Sequence, residues 1–406
     1  MAGKTILILG GGVGGIVTAN ALRQRLDPEH RVVVVDKRGE YVFTPSLLWV
    51  MVGWRQPAQI SKELRRMLHP GVEVRRAEVQ EINPERAVVR AGGEELAYDY
   101  LVVALGADLA PEAMPGFAEA AYTPFDMPGA TALWSALQNF QGGRVAVLVA
   151  ATPYKCPAAP YETALLLDDH FRRRGMRDRV EMTVYTPEAA PMGVAGPAMG
   201  QAVVGMLQAK DITFNPQLNL THIDPTQKTL AFKNREPAPF DFLAGIPPHR
   251  APSVVRDSAL ANQAGWIPVD KRTLATRFEN VYAIGDVTVI TLANGKPLPK
   301  AGVFAHGEGE TVAARIAEAI QGAAPRHEFD GMGYCWIEMG GGSAGFASGD
   351  FYAEPDPAVP QPRSGRFWHT GKVLYEKWWM GEGMARTAAA LGLRLGSKLL
   401  GIPASL

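Results

Sequence analysis

Two cysteines, Cys156 and Cys335, are the whole thiol inventory of this 406-residue chain. The first stands in Lys155-Cys156-Pro157-Ala158-Ala159-Pro160-Tyr161-Glu162, directly after the apolar run 144–149. Pro160 suits an early helical position, which sets Cys156 just ahead of a helix N-terminus with Lys155 beside it. Both neighbours lower a thiol pKa, and the thiolate is the nucleophile. The alternative for a free cysteine is a small buried hydrophobe. Cys335 falls near the middle of the strand-like stretch 329–340. Two cysteines are too few for a disulfide scaffold and poorly suited to a structural zinc site, so no metal is expected and the pair is either inert or works together.

Such a pair needs elements to carry it. Lys4-Thr5-Ile6-Leu7-Ile8-Leu9 reads as a buried parallel strand, and Gly10, Gly12 and Gly15 follow it at G-x-G-x-x-G spacing before a helical pattern from Ile16 to Leu26. These glycines serve a tight turn, a close backbone approach to a pyrophosphate, and close packing of helix on strand. A second strand, 31–35, ends in Asp36 at the distance where an acid reaches a ribose hydroxyl. Strand, fingerprint, helix, strand and acid in register predict a dinucleotide site. The segment 98–107, with Ala104 and Gly106, and the segment 278–286, ending in Gly285-Asp286, resemble the two closing signatures of flavoproteins with two dinucleotide-binding domains. With Asp286 so far from the fingerprint, that resemblance implies a discontinuous FAD domain with a second domain inserted into it.

The expected fold is α/β: two Rossmann-like domains, the second inserted into the first, then a C-terminal α+β region with an amphipathic helical tail. The expected boundaries are 1–110 with 268–328, then 111–267, then 329–406. The second domain's phosphate turn, 149–156, has no glycine, and Pro153 and Pro157 remove amide donors, which makes NAD(P)H a poor electron donor. Lys300, in Pro299-Lys300-Ala301-Gly302, either faces the pyrimidine end of the flavin or is a solvated surface lysine, and His306 reads as packed or helix-capping. A helix is expected from Glu310 to Ile320.

Charge excludes one class of partner: 41 basic residues balance 41 acidic ones, so no global field favours nucleic acid. No apolar stretch of about 18 residues spans a bilayer, and the N-terminus has no signal-peptide layout. In the tail, Met384, Ala388, Leu391, Leu395 and Leu399 share one helical face, Arg386, Arg394 and Lys398 lie on another, and Leu393 and Leu400 break the pattern. With Trp368, Trp378 and Trp379 nearby, this reads as an in-plane membrane anchor, or as a helix docked on the body or on another subunit. The expected setting is a peripheral, monotopic membrane protein of prokaryotic type, with homo-oligomerisation open.

Together these motifs resemble the sulfide:quinone oxidoreductases over essentially the whole chain. The specific segments are residues 43–55, containing Pro45, and the cysteine-proline-tyrosine-glutamate stretch 156–162. Residues 369–376 carry further likeness. The resemblance implies FAD contacts at Gly10, Gly12, Gly15, Asp36, Lys37, Pro45, Ala104, Gly106, Gly285, Asp286, Lys300 and Gly302. It implies that sulfide, or a small thiol or persulfide, attacks a bridge between Cys156 and Cys335 at the ends of two strands. Cys335 would then act on the flavin, and Glu162 would handle protons. Ubiquinone or menaquinone would stack between Trp336 and Tyr375, with Lys372 near a quinone oxygen. Two departures stand out: Thr123 occupies the place of a third cysteine, which favours non-covalent FAD, and the loop 186–199 lacks the histidine often found near the sulfide entrance. Three alternatives remain: a flavin subunit passing electrons to a cytochrome, a sulfur-trafficking flavoprotein without turnover, and an NADH:quinone oxidoreductase.

Overall fold

Strand Thr5–Leu9 lies at the centre of a five-stranded parallel sheet in the computed structural model of the chain, which describes residues 3–233 and 235–400, and for Leu399 and Leu400 the backbone alone. The strand order runs Val281–Ala283, Tyr100–Val103, Thr5–Leu9, Arg31–Asp36, Val72–Arg76. Near-continuous runs of Ile, Leu and Val suit such strands because helices or a further sheet cover both faces. The edge strand Val281–Ala283 arrives from far along the chain, so the domain is discontinuous.

Helix Val13–Arg25 follows the first strand and packs closely on it, since a Cβ at Gly15 would meet the Gly10 carbonyl oxygen at 1.9 Å. Helix Gly302–Ile320 lies across it, with the Thr18 hydroxyl donating to the Gly309 carbonyl at 3.4 Å. That helix starts eight residues before the expected Glu310. Gly302, Gly307 and Gly309 are poor helix formers, yet Gly309 is needed where a Cβ would come within 2.9 Å of the Gly14 carbonyl. His306 is packed inside it, 5% exposed.

The inserted unit is a four-stranded parallel sheet in the order Ile212–Asn215, Val180–Tyr185, Gly143–Val149, Phe242–Ile246. Helix Ala159–Arg173 returns from its central strand. The far end of this helix is anchored by fully buried Asp168, which binds Arg172, Arg177 and Lys210 at 2.9, 2.7 and 2.9 Å. The two crossings between sheets pair with each other, Asp108–Leu109 antiparallel to His249–Arg250. Beyond that crossing Ala251, Val255, Leu260, Trp266 and Ile267 join the core of Leu7, Leu9, Val33 and Val35. The chain therefore returns to the first unit well before the expected boundary at 267, because those apolar side chains complete the first core.

The remaining region opens with the antiparallel pair Met332–Gly340 and Ser343–Asp350, edged by Arg363–Gly365. Helices Arg366–Met380 and Gly383–Leu400 follow. The expected interfacial tryptophans are inside instead: Trp368, Trp378 and Trp379 are each less than 10% exposed and pack within the body. Leu393, which broke the sequence pattern, belongs with Ala389 and Ala390 to the face that docks. Met384, Leu391 and Leu395 point outward, 90%, 58% and 54% exposed, and Ala388, Arg386, Arg394 and Lys398 are exposed too. The expected contributions of Leu399 and Leu400 concern side chains outside the described residues, as do residues 401–406. Among the described residues no helix is long and apolar enough to cross a membrane.

Candidate active site

Cys156 sits in the turn between strand Gly143–Val149 and helix Ala159–Arg173, with a left-handed backbone at φ 55° that is unusual for a side chain with a Cβ. It is held there from two sides. Its amide donates to the Lys300 carbonyl at 2.7 Å, and its own carbonyl accepts from Ala159 at 2.9 Å. Cys335 lies inside strand Met332–Gly340, opposite Ala347, rather than at a strand end. Its thiol donates to the Trp336 carbonyl at 3.2 Å. Both sulfurs are free thiols.

The two cysteines, far apart in sequence, line the same two cavities. One is a slot of about 190 Å³ that also takes in Pro45, Glu162, Asp286, Lys300, Gly302, Trp336, Lys372 and Tyr375. The other, about 510 Å³, is walled mostly by apolar side chains from the 186–199 loop, the 296–304 segment and the Phe351 region.

The sequence-based expectation of a lowered thiol pKa does not hold for this pair. Burial pushes the Cys156 thiol up to about 12, with the Glu162 charge adding and Lys372 opposing. Cys335 is raised further, first by burial and then by Cys156 and Glu162. The helix N-terminus is spent locally, since the Ala159 amide binds the Cys156 carbonyl. Lys155 is itself half-buried and held below its ordinary value, chiefly by desolvation.

Glu162, 2% exposed, projects from the first turn of its helix. Its Oε1 accepts from the Glu338 amide at 2.9 Å and from the Lys372 ammonium at 2.8 Å. Burial alone would lower the Lys372 pKa, but Glu162 and Glu338 hold it above its usual value. Fully buried Glu338 also contacts the His369 Nδ1 at 3.0 Å. Sequence reasoning missed Glu338 and His369, because nothing in local spacing marks them. Residues 43–55 connect here as well: the Ser46 hydroxyl and the Arg55 guanidinium both bind Glu376, at 2.6 and 2.7 Å.

Trp336 and Tyr375 stand with ring centroids 5.4 Å apart, tilted by 42°. A flat ring between them needs about 7 Å, two van der Waals contacts, so the rings touch rather than frame a gap. Lys372 meanwhile faces Glu162 in the slot.

The residues of the first sheet fit an extended dinucleotide. Gly10 turns at φ 105°, and a Cβ at Gly12 would meet nothing within 4 Å, leaving open backbone at the helix start. Asp36 accepts from the Gly11, Arg38 and Gly39 amides. Lys37 is exposed, 3.5 Å from Glu78. Ala104 closes against Gly10, and Gly106 has positive φ with open space around it. The Gly285 amide donates to buried Glu308 at 2.6 Å. Asp286 lines the slot with its carboxyl raised by burial against Lys155 and Lys300. Lys300 is no solvated lysine. Burial pushes it down to about 8, it donates to the Asp286 and Thr288 carbonyls at 2.7 and 2.8 Å, and it lies 3.6 Å over the Trp266 ring.

In the second sheet's phosphate turn Tyr154 is buried and its hydroxyl donates to Glu188 at 2.7 Å. Thr123 accepts the Phe125 amide at 3.3 Å.

The family described as pyridine nucleotide-disulphide oxidoreductase matches residues 4–315. The chain is similar to the mitochondrial sulfide:quinone oxidoreductase of Mus musculus, 28% identical over 375 residues, 88% of this chain and 81% of that one. It is equally similar to the sulfide-quinone reductase of Aquifex aeolicus, 28% identical over 398 residues, 93% of this chain and 90% of that one. The crystal structure of the Aquifex aeolicus sulfide:quinone oxidoreductase superposes with a TM-score of 0.83 at 26% identity, covering 92% of this chain and 90% of that chain.

Proposed function

The chain belongs to the pyridine nucleotide-disulphide oxidoreductase family, and from that premise we propose that it oxidises sulfide at Cys156 and Cys335 and delivers two electrons to quinone. The observation that carries this reading is that two cysteines from different units of the fold line one slot with Asp286 and Lys300. FAD is the cofactor, held non-covalently by the glycine turn, Asp36, Asp286 and Lys300, and when bound it supplies a two-electron acceptor.

The side chains divide the work. Hydrosulfide attacks a sulfur of the oxidised pair: a new S–S bond forms on Cys156, the bond between the cysteines breaks, and Cys335 leaves as thiolate. Burial makes that thiolate a high-energy species, which drives its electron pair onward rather than letting it persist. Lys372, charged beside Glu162, offsets the negative charge, and the Glu162 carboxylate with the Lys372 ammonium can hand a proton along the slot. Lys300 stabilises charge at its end of the slot and pins the Cys156 backbone. Quinone docks on the aromatic wall that Trp336 and Tyr375 form together, since aromatic faces suit a flat apolar ligand. The exposed apolar face of helix Gly383–Leu400 lays the molecule on a membrane surface, where quinone resides.

Anaerobic titration tests this directly. Sulfide bleaches the flavin, NADH does not, and decylubiquinone restores the colour. Bleaching by NADH at a comparable rate, or recovery with cytochrome c alone, overturns the assignment.

A further inference from the structure

The larger cavity has a chemical problem that the two cysteines do not solve. Its walls are built mainly from side chains such as Pro153, Met192, Leu298, Phe304 and Phe351. An anion leaving water for such walls loses several kcal/mol of solvation, whereas a small neutral hydride loses little. Hydrogen sulfide therefore enters as the neutral molecule, yet the species that attacks sulfur is hydrosulfide. One proton has to leave inside the cavity.

Glu188 is the only carboxylate lining that cavity among the described residues. Three hydroxyls converge on its Oε2: Tyr154 at 2.7 Å, Tyr161 at 2.9 Å and Thr186 at 3.2 Å. No cation lies within ion-pair distance, and Oε1 makes no hydrogen bond among the described residues. Such a carboxylate is fixed in place by its three donors and still lacks a partner on one oxygen. Burial raises its pKa against the pull of the three hydroxyls, which brings its basicity closer to that of sulfide. Other polar groups on the wall are less suited. Lys296 donates to the Gly193 carbonyl and Lys300 to the Asp286 and Thr288 carbonyls, and the Tyr154 hydroxyl is engaged as a donor.

We infer that Glu188 is the proton acceptor for neutral hydrogen sulfide in the cavity beside Cys156, an inference that rests on the sulfide-oxidising function proposed above. In the step, an S–H bond breaks, an O–H bond forms on Glu188 Oε1, and the electron pair remains on sulfur as hydrosulfide. No electrons change owner. The position lies in the 186–199 loop, whose Met192 and Val194 line the same cavity. The bland alternative is that Glu188 only ties this loop to Tyr161 on helix Ala159–Arg173.

Glu188→Gln separates the two, because the amide oxygen still accepts from the hydroxyls but takes no proton. Stopped-flow bleaching of the holoenzyme by sulfide, from pH 5.5 to 9, is the measurement. Wild type loses rate at the acid end as Glu188 protonates. The variant should be about 100-fold slower at neutral pH and should lack the acid limb, so that the gap between the two narrows toward pH 5.5. Reoxidation of dithionite-reduced variant by decylubiquinone should match wild type. A variant with the wild-type profile, or one slowed equally at every pH, overturns the assignment. Should Glu188→Gln fail to hold FAD, Glu188→Asp serves: it should keep the acid limb at reduced rate, and loss of the limb overturns the inference. Wild type that sulfide never bleaches would bring down the function itself, a result distinct from an unaltered variant.

Discussion

Lys372 donates to Glu162 at 2.8 Å with both side chains less than 10% exposed, which ties the helix that follows Cys156 to the first of the two C-terminal helices. A buried pair of this kind is expensive to break from one side, since the survivor is left charged without a partner. Lys372→Met should cost about 3–5 kcal/mol in denaturant unfolding, and the double variant with Glu162→Gln should recover much of that. Additive losses in the two single variants would show that the pair is not coupled.

Desolvation rather than the adjacent helix governs the thiols. In the reduced protein, iodoacetamide at pH 8 should modify Cys156 at least about 100-fold more slowly than the unfolded chain, and the rate should climb only toward its pKa near 12. Modification at the rate of an ordinary free cysteine would contradict this. Cys156→Ser and Cys335→Ser should each abolish bleaching by sulfide while FAD stays bound; a fully active Cys335→Ser removes the paired mechanism.

Glu308 offers a test by pH. Buried behind the Gly285 amide, it is pushed up to about 7, mainly by desolvation. A carboxyl raised in the folded state holds its proton more tightly there than when unfolded. Its contribution is therefore most favourable below the unfolded value near 4.5 and is lost as pH rises through about 7. In the cofactor-free chain, Glu308→Gln should be more stable than wild type by about 3 kcal/mol at pH 8 and nearly equal at pH 4.5. Equal stability at both values would refute the burial argument.

The outward face of the last helix makes a clean substitution site because Leu391 and Leu395 are each more than half exposed. Leu391→Ser with Leu395→Ser should leave melting temperature and bleaching by sulfide within experimental scatter, yet reduce sedimentation with phosphatidylcholine vesicles by about tenfold. Unchanged sedimentation would mean that this face does not meet the bilayer.

The aromatic pair supplies a further measurement on function. Tyr375→Ala should slow reoxidation by decylubiquinone by about tenfold or more and spare the sulfide half-reaction. A defect confined to bleaching would place quinone elsewhere.

Much of the first sheet was readable from residue order because its signals are local. An apolar strand, three glycines at set spacing and an acid at the next strand end express backbone needs within one βαβ unit. The discontinuity followed from Gly285-Asp286 lying so far from Gly15. The sequence pattern places the start of helix Gly302–Ile320 too late because glycine lowers local propensity, while packing of Gly309 on Gly14 outweighs it. Leu393 looked like an interruption for a similar reason: periodicity finds an apolar stripe but cannot say which stripe meets the protein and which meets solvent.

Residue order by itself determined the dinucleotide fold and the identity of the only two thiols. Tertiary structure alone decided that Cys335 shares a slot with Cys156, that Glu162 faces Lys372, and that Glu188 collects three hydroxyls. It also reversed the direction of the thiol pKa. The physical reason is range: strand period, turn conformation and helix start are set by neighbours along the chain, whereas desolvation and charge pairing depend on which distant segments close over a group.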